Sequence, residues 1–170
     1  MAADSLPPAT QVIAQAQALW NEGAHASALD LLRQALSRVE SPGSAPGSPA
    51  LVALVRELAR MSLAEGQVAN TLSLLMRLEP QISQLPDLWA MRANAAQRLG
   101  QHTEAVSSYQ RALALKAGEA RWMQGQAVSL AAQGHLTEAG DLAERVRLQG
   151  ALRPEIATYL RQLGVTVRAE

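Results

Sequence analysis

The sequence predicts an all-α fold built from stacked helix pairs, and three observations predict it. Alanine and leucine dominate a chain of 170 residues that has no phenylalanine, three tryptophans and two tyrosines. That mixture favours helix and disfavours sheet. Glycines that close helix-like stretches recur at a fixed spacing: Gly66 to Gly100 is 34 residues, and Gly100 to Gly134 is 34 again. Thr103-Glu104-Ala105 returns at the same interval as Thr137-Glu138-Ala139. A period of this length marks units that must stack, because one helix pair cannot bury its own apolar face.

The elements follow in order. Helices are expected at 9–21 and 25–39, separated by Gly23. The next spans 49–65 and opens on Pro49; 68–79 follows Gly66. Another, 86–99, opens on Pro86, and 102–116 follows Gly100. A further pair is expected at 120–133 and 136–148, around Gly134. Pro154 opens the last, 154–163. Proline is tolerated in the first turn of a helix, and glycine supplies the left-handed residue that ends one. Thr103 and Thr137 are the expected N-caps. Within HTEAVSSYQRALAL, Ala105, Tyr109, Ala112 and Leu113 fall at i, i+4, i+7 and i+8, one face of a helix. In PEIATYLRQL, Ile156, Tyr159 and Leu160 share a side, which suits a helix that covers the open end of a stack.

The stretch SPGSAPGSP, Ser41–Pro49, looks at first like a domain boundary. Gly23 to Gly66 is 43 residues, nine more than the repeat, and the stretch is nine residues long. It therefore reads as an inserted loop, 41–49, between the first and second pairs. Residues 9–164 are expected as a single domain. Residues 1–8 are expected as a disordered N-terminus and 165–170 as a tail. The first pair is expected to dock, since Leu29, Leu32, Leu36 and Val39 have no other surface to bury against.

At this point the units resemble the tetratricopeptide repeat. That pattern has Trp near position 4, small residues at 8, 20 and 27, Gly at 15 and an aromatic at 24. Unit 86–119 fits with Trp89, Ala93, Gly100, Ala105, Tyr109 and Ala112, and departs at position 7, where Arg92 stands for Leu. Units 9–42, 52–85 and 120–153 fit less completely; the second has Thr71 where Ala is expected. The resemblance implies a right-handed α-solenoid of four helix pairs plus a C-terminal capping helix. Three polar residues share position 7, Gln15, Arg92 and Gln126. Their stems are expected to pack while their heads reach water; a lateral interface is the functional alternative.

Charge and motifs narrow the function. Fifteen basic residues balance fifteen acidic ones, so net charge gives no reason to expect nucleic acid or a membrane surface as partner. There is no cysteine, which removes disulfides and thiolate chemistry. No apolar run is long enough for a membrane span. The phosphate-loop, His-Glu-x-x-His and Gly-x-Ser-x-Gly motifs are missing. His25, His102 and His135 all fall in turns with no carboxylate cluster beside them, so no metal and no cofactor are expected. The reading is a non-enzymatic one: a protein-binding scaffold.

In the family resembled, positions 2, 5, 9, 12 and 13 of each first helix line the concave groove that takes peptide segments. Here those positions include Arg56, Arg60, Arg98 and Arg121 against Asp87, with Asn94, Gln97 and Gln124 as amides and Trp20 as an aromatic anchor. The expectation is a locally basic groove for a partner segment of acidic character. The bland counterpart is a solvated face, with Trp20 packed under the long loop. The runs ARWMQGQAVSLAAQG and LRPEIATYLRQL also resemble the end of tetratricopeptide proteins of mannose-sensitive (type IV) pilus biogenesis. That resemblance implies a bacterial envelope-assembly role, for a soluble domain of the cytoplasm or periplasm and a piece of a membrane-anchored protein. The alternative is a soluble secretion chaperone covering an amphipathic client segment.

Overall fold

The structure is a computed structural model and describes residues 7–40 and 47–169. Among these residues it is helical throughout, with no strand. The helices are α1 (Ala9–Asn21), α2 (His25–Val39), α3 (Pro49–Ala64), α4 (Val68–Arg77), α5 (Glu79–Ile82), α6 (Pro86–Arg98), α7 (His102–Leu115), α8 (Ala120–Ala132), α9 (Leu136–Leu148) and α10 (Pro154–Gln162). The expected helices lie within two residues of these bounds. The short α5 is not anticipated by the sequence pattern. The chain divides into two compact units, Met1–Ile82 and Ser83–Glu170.

One device makes every helix pair. Gly23, Gly66, Gly100 and Gly134 all have φ between 73° and 85°, a left-handed conformation that costs a residue with a Cβ ~1–2 kcal/mol. Each glycine N–H donates to a carbonyl three residues back, and the next N–H reaches five residues back. Gly134 N–H meets Ala131 O at 3.0 Å and His135 N–H meets Leu130 O at 2.9 Å. This paired bonding closes the helix end. The same residue then starts the next helix: the carbonyls of Ala24, Gln67, Gln101 and His135 accept the N–H of Ala28, Thr71, Ala105 and Ala139.

That double use displaces the expected N-caps. Gln101 and His135 occupy the capping position without a side-chain hydrogen bond. Thr103 and Thr137 fall two residues inside the cap. The Thr103 hydroxyl instead accepts from Gln133 Nε2 at 2.8 Å. Pro49, Pro86 and Pro154 do open α3, α6 and α10. Ser48 caps α3, its Oγ accepting from the Leu51 N–H. The six residues of the expected loop from Ser41 to Pro46 lie outside the described residues.

In the first unit α1 and α2 both pack on α3. Leu29, Leu32 and Leu36 are buried, with Leu51, Leu54, Val55 and Leu58 of α3; Val39 is half-buried. In the second unit α6 packs on α7, α7 on α8, and α8 on α9 and α10. Its core joins Ala127, Leu130, Ala139, Ala143 and Leu160. Tyr159 does not share the buried side of α10: it is 43 % exposed, and Ala157 is buried beside Leu160 instead. The residues after Gly164 keep packing, since Val165 is buried in that core and Arg161 donates to the carbonyls of Val167 and Arg168.

Candidate functional site

Position 7 of the third repeat shows how the fold treats a polar residue it buries. Arg92 is 8 % exposed, so its head does not reach water as expected. Its Nε donates to Glu104 Oε1 at 2.5 Å, and its guanidinium lies 4.9 Å from the centre of the Trp89 ring. Arg111 stands 5.3 Å from the same ring. Trp89 is buried, and its indole N–H donates to Ser83 O at 2.9 Å. A charge this buried requires such a partner.

The first-helix face of the second unit gathers several expected site residues. Asn94 and Arg121 are exposed and both act on the buried Tyr109 hydroxyl, Asn94 by a hydrogen bond and Arg121 by its charge. Burial pushes the Tyr109 phenol above its ordinary pKa, and these two groups pull it partly back. The Tyr109 ring crosses α8 at Gly125, where a Cβ would lie 2.4 Å from it. Gln97 donates to Gly125 O at 2.7 Å and to Ser129 Oγ at 2.8 Å, and His102 Nδ1 lies 3.0 Å from the same hydroxyl. Gln124 is buried; it donates to Ala120 O, and its Oε1 accepts from the Arg153 N–H at 3.0 Å. Gln97 and Gln124 therefore bind segments of this unit to one another. Arg98 is exposed on the last turn of α6.

In the first unit, Arg56 is half-buried and Arg60 exposed on α3. The Glu57 carboxylate chelates Arg60 through both Nε and Nη2, which pushes the guanidinium pKa further up. Gln17 Nε2 reaches the same carboxylate at 3.4 Å. Glu57 is not among the residues that the sequence pattern singles out, though its i, i+3 spacing to Arg60 is a signal that could have found it. Trp20 stacks on His25, ring centres 3.9 Å apart and planes 12° apart. His25 Nδ1 lies 2.8 Å from Glu65 Oε2. The tryptophan is thus held rigidly and half-buried. Among the described residues no group of three or more His, Cys, Asp or Glu side chains could hold a metal ion. No helix among them is long and apolar enough to cross a membrane.

Comparison with known proteins adds to this geometry. The sequence profile of the tetratricopeptide repeat matches residues 86–118. No curated protein sequence matches. Among solved structures, a tetratricopeptide repeat protein from Parabacteroides merdae is similar with a TM-score of 0.75 at 15 % identity, over 92 % of this chain and 60 % of that one. Tetratricopeptide-like repeats of a putative kinesin light chain of Podospora anserina give 0.69 at 25 % identity, over 92 % and 86 %. The first tetratricopeptide domain of Spaghetti (RPAP3), bound to the HSP90 peptide SRMEEVD, gives 0.59 at 22 % identity, over 65 % and 88 %.

Proposed function

Since this chain is a tetratricopeptide-repeat protein of the α-solenoid class, we propose that it is a protein-interaction scaffold whose first-helix faces take an extended segment of acidic character. The observation that carries the reading is the face of the second unit. Asn94, Arg98 and Arg121 stay exposed there, while Gln97 and Gln124 spend their amides fixing the helices beneath. A face with its floor bound in place and its cations outward is preorganised for a chain with carboxylates. Arg56, Arg60 and the rigid Trp20 offer a comparable surface in the first unit, with the Arg60 charge partly met by Glu57. The peptide held by the Spaghetti domain, SRMEEVD, carries three carboxylate side chains against one arginine, which supports an acidic partner. The setting we propose is bacterial envelope assembly, supported by the resemblance of 120–134 and 152–163 to pilus-biogenesis proteins.

Charge reversal tests the reading. Arg56→Glu with Arg98→Glu should abolish recovery of partner proteins from a native extract, while circular dichroism and melting temperature stay those of the parent. Equal recovery by parent and variant would sink it.

A further inference from the structure

Each unit has a second cleft, walled by second helices rather than first ones, and the repeat makes the two clefts comparable residue by residue. In the first unit a cleft of about 450 Å³ lies between α2, α3 and α4. In the second a cleft of about 460 Å³ lies between α7, α8 and α9. Both fall in the size range of ligand sites, ~300–1,000 Å³. The walls are matched helical stripes. Gln110, Leu113 and Ala114 stand at i, i+3 and i+4, with Ala117 at i+7; Glu138, Asp141, Leu142 and Arg145 repeat that spacing on α9. Met123, Gln126 and Leu130 form the floor. Stripes of this kind form grooves that accept the ridge of another helix.

The equivalent positions differ in a consistent way. In the first unit Arg77 on α4 pairs with Glu40 just past α2 at 2.5 Å, a strap across its cleft. In the second unit the arginine persists as Arg145, but Ala117 stands in place of the acid. Asn70 and Ser73 of the first rim become Glu138 and Asp141, and Leu58 of the floor becomes Gln126. Gln126 is only 8 % exposed, yet its amide has no hydrogen-bond partner among the described residues. Asp141 and Arg145 have none either. Glu138 faces His135 at 3.8 Å. No fully enclosed side-chain N or O atom among the described residues lacks a partner, so the Gln126 amide is left to the little solvent that the cleft admits. An amide in that position is poorly satisfied, and a ligand's polar group would complete it.

We infer that the α7–α8–α9 cleft is a second docking site, and that its occupant is a two-turn amphipathic helix of a partner protein. Its apolar side chains lie on Leu113, Met123 and Leu142, a lysine or arginine meets Glu138 and Asp141, and a carboxylate about one turn further meets Arg145. Gln126 hydrogen-bonds a polar group at the centre of the seam. This site uses the opposite members of the helix pairs from those proposed above, and it stands whether or not that reading does.

The test uses the full chain and a helical peptide of about four turns with leucines at i, i+3, i+4 and i+7, lysine flanking them, and glutamate one turn on. A charge-inverted peptide, glutamate and lysine exchanged, is the comparison. Amide chemical shifts should move at Leu113, Gln126 and Leu142 with the first peptide, which should bind at least about tenfold tighter than the second. Ala117→Glu rebuilds the strap of the first unit on an exposed position and should weaken binding by a similar factor with no loss of melting temperature. Glu138→Lys with Asp141→Lys should invert the preference between peptides. Equal binding of both peptides, shifts confined to α6 and the exposed face of α8, or an unaffected Ala117→Glu variant would overturn the inference. So would protection of this cleft by a second copy of the chain in ultracentrifugation and crosslinking.

Discussion

Two glycines show how differently one residue type can be required. Gly134 has φ 82° and open space around the point where a Cβ would stand. Gly125 has no positive φ, but its missing Cβ makes room for the Tyr109 ring. Gly125→Ala should therefore cost ~1–3 kcal/mol through overpacking, and it should be coupled to its neighbour. In a thermal-melt double-mutant cycle, adding Tyr109→Leu should recover a large part of that loss, because the clash disappears with the ring. Costs that add fully would show that Tyr109 moves aside freely. The glycine at 125 is visible in the sequence, but its reason is not: the two residues are 16 apart and meet only when α7 lies against α8. The same holds for Arg92, whose partner Glu104 is 12 residues away on the other helix of its pair. Position 7 looks like an edge from helix periodicity alone. Neither the facing carboxylate nor the Trp89 ring enters that periodicity.

Helix ends are the most legible feature, because two residue types encode them physically. Proline fixes the entry angle of α3, α6 and α10, and glycine with positive φ fixes the exit of a first helix. Gly134→Ala should leave the packing alone and cost ~1–2 kcal/mol of backbone strain, seen as a melting temperature lower by ~2–8 °C. An unchanged melting temperature would mean that the turn can be made without a left-handed residue. The expected N-caps are misplaced because threonine reads as a side-chain cap, whereas these helices start from a backbone carbonyl already ordered by the previous helix. The short α5 merges with its neighbour in the sequence pattern because no proline or glycine divides α4 from it. Periodicity likewise puts Tyr159 on the apolar side of α10, but the small Ala157 takes the contact instead.

At the scale of the molecule, the repeat is what makes the fold readable. Apolar faces recurring at 34 residues demand neighbours, and α3 carries such a face for α1 and α2. Removal of residues 1–48 should bare Leu51, Leu54 and Val55 to water. At ~25 cal/mol per Å² of apolar surface this is a large loss for one unit. Circular dichroism should show less helix than removal of α1 and α2 alone explains, and the melt should broaden. A truncated chain as stable as the parent would make Ser41–Pro49 a linker after all. Function is less legible, because binding faces are defined by which side chains remain uncommitted. Gln97 and Gln124 look like groove amides in the sequence and are ties within the fold, while Gln126 looks like an edge residue and is the one amide among these three left without a partner.

The shared residue at each turn has one more consequence. Ala24, Gln67, Gln101 and His135 each finish one helix and begin the next, so the two tasks are locked at a single position. A residue added inside such a turn would part them, leaving one helix unfinished or the other uninitiated. The segments that link one pair to the next carry no such double task. Growth of the chain is therefore steered to those links, and the nine surplus residues of this sequence stand in one of them. A fluorophore, tag or grafted loop would find the same tolerance there, and would find none within a pair.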